Sequence, residues 1–449
     1  MSVAASGQLI TESRKILDPT GRAEDQFGLS VAIDGDTVLV GSPFDDGRGD
    51  SSGTALLFNV SSGSAIRQLI ANDTAAEDVF GASVGLSGGV AFIGASENSF
   101  SGRSAGSAYL FDTSSGVQAG RFQPERVVFV GERPDFGFFG FSLGVSDRWL
   151  AVGAPGDIEG ANAGGGAIYI YDIDDRSRVG KVFASDIDFA DNFGRAVAVD
   201  SSYVVASSPF DDDNGSESGS VYVFDAATGQ EVRKLLPDVG RASDFFGLSV
   251  AIDDGVVVVG APFANTDRGT DSGVVYVFDA ETGAQLFTLI ASDTGDGDQF
   301  GTSVDIDGDL IVIGARFDDQ VADGAGAAYV FGRDSGDQLA TLRASDGQLG
   351  DAFGNAVALS GRTVVVGAPG DDDNGDFAGA AYLFELPVTQ ACNAADTAVP
   401  FGVLDLSDVN AFIAAFGSGD AAADIAFPFG FIDLSDIDAF IAAFLAGCA

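Results

Sequence analysis

Residues 246–278 read FGLSVAIDDGVVVVGAPFANTDRGTDSGVVYVF, and this stretch decides the fold. Leu248, Val250 and Ile252 alternate with smaller residues until Asp253-Asp254-Gly255, the composition of a tight hairpin turn. A continuous apolar run over 256–259 stops at Gly260-Ala261-Pro262, because proline has no N–H to give a sheet ladder. A loop rich in Asn, Asp, Thr and Gly leads to a third run, 274–278. β-Branched and aromatic residues dominate these runs, which suits a pleated, buried surface better than a helix. After a turn at 279–283, a fourth strand is predicted over 285–290, followed by the loop 291–299.

The Phe-Gly pair that opens this unit recurs at Phe27, Phe80, Phe139, Phe193, Phe246, Phe300 and Phe353, at intervals of 53 to 59 residues. The middle signature returns in step, as Gly41-Ser42-Pro43, Gly94-Ala95-Ser96, Gly153-Ala154-Pro155, Ser207-Ser208-Pro209, Gly314-Ala315-Arg316 and Gly367-Ala368-Pro369. The third strand also repeats, as in Tyr109-Leu110-Phe111 and Tyr222-Val223-Phe224. A fixed period of this size marks a repeat architecture, in which no unit buries its faces alone. Four short antiparallel strands in each of seven units describe an all-β, seven-bladed propeller. The tight turns argue against a parallel solenoid. Residues 8–18, QLITESRKILD, resemble a fourth strand, and the last unit stops after its third strand at Tyr382-Leu383-Phe384. The first strand is therefore expected to complete the last blade and leave no open edge at the seam.

These signatures resemble the FG-GAP repeats of the integrin α-subunit propeller and its bacterial relatives, over residues 8–386. The resemblance is weakest in repeats two, four and six, where Gly or Pro of the middle signature is replaced, and repeat three carries an insertion at 136–139. It implies a ligand-binding or adhesive scaffold at the cell surface or outside the cell. Integrin calcium loops lie between the first and second strands. Here those connections are too short (Asp34-Gly35-Asp36, Asp307-Gly308-Asp309), so those sites do not transfer.

The chain carries 67 acidic against 22 basic residues, a formal charge of −45. That balance excludes nucleic acid as a default partner and disfavours anionic membrane surfaces. It suits a solvated surface in a salty or extracellular setting, or the binding of cations. With no histidine, Ser-His-Asp and Cys-His catalysis and histidine-ligated zinc are impossible from this chain alone. We expect no enzyme; the alternative is a carboxylate-dependent polysaccharide hydrolase or lyase. No stretch approaches the ~20 apolar residues of a membrane span. The opening MSVAASGQLI has neither the basic nor the apolar region of a signal peptide.

After a linker at 387–391 the pattern changes. Residues 396–416, DTAVPFGVLDLSDVNAFIAAF, return 28 residues later as DIAFPFGFIDLSDIDAFIAAF. Ser407 and Ser435 can cap helices whose apolar stripes (Val409, Phe412, Ile413, Phe416; Ile437, Phe440, Ile441, Phe444) bury against each other. Cys392 and Cys448 bracket the pair, either as free buried thiols or as a disulfide contributing about 2–4 kcal/mol. The disulfide would place the protein outside the reducing cytosol. Residues 392–449 resemble a dockerin of the variant flanked by paired cysteines. The resemblance implies docking to a cohesin-like or surface partner and calcium (Ca2+) held by Asp405, Asp408, Asp433 and Asp436. Asp396 and Asp424 join only with one inserted residue, and Val399-Pro400-Phe401 stands where early ligands would be.

On the propeller, the second-to-third loops and the connections between blades share one face, the expected partner surface for a protein or glycan. Its most acidic loops contain Asp211-Asp212-Asp213-Asn214-Gly215 and 371–376. There Asp211, Asp213, Asp372, Asn374 and Asp376 are either calcium ligands at alternate spacing or turn residues bonding their own backbone. An Asp two residues before Phe-Gly (Asp25, Asp78, Asp191, Asp244, Asp298, Asp351) is expected to accept backbone N–H bonds in each connection. Arg48-Gly49-Asp50 spells an integrin-recognition tripeptide at a frequency that chance explains. The best reading is a secreted or surface binding scaffold; a structural surface-assembly component is the remaining alternative.

Overall fold

The computed structural model describes residues 8–99, 104–124, 137–157 and 165–387. The chain divides into two units, Met1–Glu385 and Leu386–Ala449. The expected tail helices, the residues Asp396, Asp405, Asp408, Asp424, Asp433 and Asp436, and the Cys392–Cys448 pairing all lie outside the described residues.

The first unit is an all-β propeller of seven sheets. In the fifth blade the strands are Ser249–Asp253, Val256–Ala261, Val274–Asp279 and Gln285–Leu289, hydrogen-bonded in chain order. Val250 opposes Val259, and Val258 opposes Val277, so the apolar faces stack from strand to strand. A bulge at Val277 and Phe278 twists the outer hairpin, and the same irregularity recurs in other blades. The first strands of successive blades are neighbours and wall a central channel. Among the described residues no helix is long and apolar enough to cross a membrane.

The seam closes as the sequence predicts, with one refinement. Arg14–Ile16 pairs antiparallel with the last strand, Lys15 opposite Tyr382, and supplies the fourth strand of blade 7. Residues 8–18 are not one strand, however. Gln8–Ile10 pairs in parallel with the outer strand of blade 6, adding a fifth strand there. The chain steps between blades at Glu12, whose carboxylate accepts from the Ser345 N–H and hydroxyl. Ser13 then bonds Leu383 O through both its N–H (2.7 Å) and its hydroxyl (3.0 Å).

The Phe-Gly signature holds neighbouring blades together. Phe80 is buried against Tyr109 and Phe111 of its own blade, at centroid distances of 5.5 and 6.0 Å. It shares its apolar cluster with Leu39, Ala55 and Leu57 of the blade before. Its N–H donates back to Ser52 O of that blade, while the Gly81 N–H donates to Gly94 O in the middle signature. Such rings set edge-on add about 0.5–1.5 kcal/mol beyond their buried area. The backbone passes so close that the glycine before each third strand has no room for a side chain. A Cβ on Gly379 would sit 2.1 Å from Phe27 O, and its φ is +85°.

Gly379→Ala should therefore cost more than about 3 kcal/mol or prevent ring closure, whereas Gly361→Ala should cost about 1 kcal/mol. Gly361 also has positive φ, but its Cβ would meet nothing within 4 Å. Equal unfolding midpoints for the two variants in a denaturant titration would refute this account of the seam.

Candidate functional site: the loop face and its carboxylate clusters

Connections and second-to-third loops interlock on one face. Glu24 N–H donates to Asp376 O and Gln26 N–H to Phe377 O, and the same pairs recur between blades 1 and 2 as Glu77 to Asp50 and Val79 to Ser51. Three loops, 45–53, 211–219 and 371–379, share one conformation. Gly49, Gly215 and Gly375 have φ of 140°, 129° and 135°. The glycine of Arg48-Gly49-Asp50 is thus required by the loop itself. The first Asp of each loop accepts the N–H two residues on: Asp45 from Gly47, Asp211 from Asp213, Asp371 from Asp373. The second closes the loop: Asp46 accepts from Ser51, Asp212 from Glu217, Asp372 from Phe377.

This sorting places the sequence-predicted residues differently from their alternate spacing. Asp372 is engaged by Phe377 N–H at 2.8 Å. The Asn374 amide donates to Asp18 O at 2.9 Å, presenting a donor rather than a ligand oxygen. Asp376 serves through its main-chain oxygen. Asp211 and Asp213 do converge, with Asp186 from the preceding connection, and their oxygens lie within 4.8 Å of one another.

A lysine ammonium already stands among those three carboxylates. Lys234 Nζ lies 2.8 Å from Asp186, 3.1 Å from Asp211 and 2.5 Å from Asp213. The Tyr222 hydroxyl donates to Asp186 (2.8 Å) and Asp211 (3.0 Å), and the ammonium sits over its ring. Blade 7 repeats the cluster through the seam: Lys15 reaches Asp346, Asp371 and Asp373 at 2.8, 2.7 and 2.5 Å, and Tyr382 bonds Asp346 and Asp371. Burial pulls both ammonium groups down, but their carboxylate partners outweigh it and hold them above the usual lysine range. Lys181 meets Asp157 in blade 3, and Arg343 meets Asp293 and Asp318 in blade 6. A calcium ion does not fit the Asp186, Asp211 and Asp213 set without first evicting Lys234. Linear spacing could not show this, since Lys15 lies 356 residues from Asp371.

The Asp two residues before six of the seven Phe-Gly pairs does accept a backbone N–H three residues upstream: Asp25 from Arg22, Asp78 from Ala75, Asp191 from Asp188, Asp244 from Arg241, Asp298 from Gly295 and Asp351 from Gln348. All six are buried. Burial pushes Asp298 and Asp351 up to about 6, against the backbone bond each accepts, and neighbouring carboxylates add to it.

The opposite face is a ring of turn contacts. Gly88 N–H donates to Asp34, Gly255 to Asp200, Gly308 to Asp253 and Gly361 to Asp307, at 2.6 to 3.0 Å. The channel above them encloses about 910 Å³. Asp305 lies in its wall where other blades carry Ala or Gly. Its carboxylate accepts Leu359 N–H at 2.7 Å and Ile306 N–H at 2.9 Å. Burial, with the charges of Asp307 and Asp253, pushes it up to about 7.

A family model described as FG-GAP repeat matches residues 10–58, 64–111, 177–224, 230–278, 284–331 and 337–384. The chain belongs to the FG-GAP repeat family. Repeats two, four and six of the FG-GAP array match in spite of their altered middle signatures; the unmatched interval holds the third repeat with its insertion. No curated protein matches the chain. Among solved structures, the computationally designed Ika8 protein is similar at 14% identity and a TM-score of 0.48, over 85% of this chain and all of that one.

Two predictions follow from the clusters. Lys234→Ala should destabilise the propeller by about 2–3 kcal/mol, since it strands buried charge, and should make its melting temperature rise with calcium. A variant that melts like the parent, with or without calcium, would contradict the internal-ammonium account. Asp298 has a folded pKa of about 6 against an ordinary 3.8, so the folded state binds the extra proton between those values. Its contribution is therefore most favourable at low pH and is lost as pH rises from about 4 to 6. Lowering pH from 7 to 5 should raise the melting temperature, and Asp298→Asn should shrink that rise by about 1–2 °C.

Proposed function

We propose that this FG-GAP propeller is an extracellular or cell-surface binding and adhesion scaffold. Its loop face takes a protein or glycan partner, and the tail beyond residue 387 docks the chain to a cohesin-like or surface partner. Calcium belongs to this reading through the tail carboxylates Asp396, Asp405, Asp408, Asp424, Asp433 and Asp436. The observation that carries the proposal is the pair of grooves in the interlocked loop face. One, of about 420 Å³, lies between blades 7 and 1 with Phe44, Phe377, Glu24 and Asp46 in its walls. The other, of about 660 Å³, lies between blades 1 and 2 with Asp73, Glu77 and Glu97. Half-exposed aromatic rings beside carboxylates and main-chain oxygens suit sugar rings and their hydroxyls, or basic and aromatic side chains of a peptide. Position outside the cell is supported by family membership and by the acidic surface.

Panels of polysaccharides and surface proteins, measured against the immobilised full chain, should yield a ligand whose affinity falls at least about tenfold in Phe44→Ser/Phe377→Ser. An affinity untouched by those changes and lost only without residues 388–449 would move the binding site off the propeller. A second reading, carboxylate-dependent hydrolysis or lysis of a polysaccharide, is favoured by Asp305 in the channel wall. Turnover abolished by Asp305→Asn would establish it, and absence of turnover across the panel would remove it.

A further inference from the structure

In a chain with 67 acidic and 22 basic residues, a part-buried arginine without a carboxylate is out of place. Arg195 and Arg316 are both part-buried, and neither meets a carboxylate among the described residues. Arg195 directly follows Phe193-Gly194, where the sister repeats carry Leu29, Ala82, Phe141, Leu248, Thr302 and Asn355. Arg316 ends its middle signature, where five sisters carry proline. Neither charge therefore belongs to the repeat. The Arg195 guanidinium lies 4.7 Å from the centroid of the Phe141 ring in the blade before, and Arg316 lies 4.6 Å from that of Phe317. Arg316 Nε donates to Gln299 Oε1 at 3.1 Å, which leaves its two terminal nitrogens without a partner among the described residues. Burial alone holds both guanidinium groups below the usual arginine range. Arg343 is buried too, but Asp293 and Asp318 lift it above that range. The acids near Arg316 in sequence are turned elsewhere: Asp298 accepts Gly295 N–H, and Asp318 meets Tyr329 and Arg343.

The wall between the two arginines is aromatic. Phe210, Phe263 and Phe317 follow the middle signatures of blades 4, 5 and 6, and Phe245 precedes the Phe-Gly between blades 4 and 5. Phe245 stands edge-on between Phe210 and Phe263, at centroid distances of 5.4 and 5.2 Å, so the three rings make one row. All three are part-buried, and Phe317 is 41% exposed. Blades 3 and 7 carry Gly156 and Gly370 at the position of Phe210, so the row does not continue there. Arg195 directly precedes the first strand of its blade, and the phenylalanines and Arg316 flank first or second strands at the same end. They therefore gather at the loop-face mouth of the channel. Taken in blade order the series is Arg195, Phe210, Phe245, Phe263, Arg316, a cation at each end of an apolar row.

We infer that this mouth, across blades 3 to 6, binds an anionic glycan, with sugar rings on the Phe210, Phe245 and Phe263 row and carboxylate or sulfate groups on Arg195 and Arg316. The inference rests on the loop-face reading above and gives it a ligand class, at blades other than those of the two grooves. A guanidinium presents a planar fork of N–H groups that matches an oxyanion, and stacking on a ring fixes its plane without using those donors. Phenyl rings carry no polar atom. They suit the C–H faces of a sugar better than a peptide main chain, whose N–H and C=O groups would lie unpaired against them. The acidity of the rest of the molecule sharpens the choice of place: it repels a polyanion everywhere except where a cation stands open.

The test immobilises the full chain in chelator, so that no divalent cation bridges acid to acid, and titrates it with polygalacturonate, dextran sulfate, neutral dextran and polyglutamate. Arg195→Leu and Arg316→Pro each install the residue of sister blades and should melt no lower than the parent. Should either unfold, Arg195→Gln and Arg316→Gln take their place. At least one of the two anionic glycans should bind, more weakly as salt rises, with affinity at least about tenfold lower in each arginine variant. Which of the two binds tells carboxylate from sulfate, and neutral dextran should not bind. Phe44→Ser/Phe377→Ser, which alters the groove between blades 7 and 1, should leave this affinity unchanged. Neither anionic glycan binding, polyglutamate binding as tightly as the glycans, or an affinity unchanged in both arginine variants would overturn the inference. A ligand held in the groove between blades 7 and 1 would survive each of those results, so the two readings fail separately.

Discussion

The propeller depends on one recurring contact, the backbone of each Phe-Gly lying against the blade before it and the middle signature of its own. Gly28 N–H reaches Gly41 O, Gly81 reaches Gly94, and Gly354 reaches Gly367, at 2.9 to 3.1 Å. A Cβ on Gly41 would lie 2.1 Å from Gly81 O, so the middle glycine of one blade makes room for the Phe-Gly of the next. Neither signature is a motif for chemistry. Both are the imprint of two chains passing within a hydrogen bond of each other, with aromatic rings filling the wedge behind them.

That contact explains why the fold was legible before any coordinate. The strands of residues 246–289 fall where alternation, turn residues and proline place them, and the shared loop face follows from counting strands. The apparent lapse in repeat four has a physical answer. Ser207 replaces the middle glycine, but Ala196 replaces the serine found opposite it in five other blades, and the Ser207 hydroxyl exchanges bonds with the Ala196 backbone. One hydroxyl has crossed from one strand to its neighbour. The division of residues 8–18 between two blades was not legible, because three-residue strands carry no period.

The candidate sites were legible only in part. The role of Asp298 and its five counterparts could be read from recurrence, because a residue kept in nearly every blade serves the blade. The grouping around Lys15 and Lys234 could not, since it joins a fourth strand, a loop and the connection behind it. Asp372, Asn374 and Asp376 suggested ligands by spacing, yet the loop turns so that Asp371 and Asp373 face the ammonium and Asp372 caps its own backbone. Alternation along a strand puts every second residue on one side; alternation along a turn does not.

The seam has a temporal side. Arg14–Ile16 is made first, and its partner strand Ala380–Glu385 emerges only after nearly the whole propeller has left the ribosome. Until then Arg14–Ile16 has no mate, and the last blade lacks its outer edge. Six blades can assemble as they appear, but the ring locks only when the oldest residues of the array find the youngest.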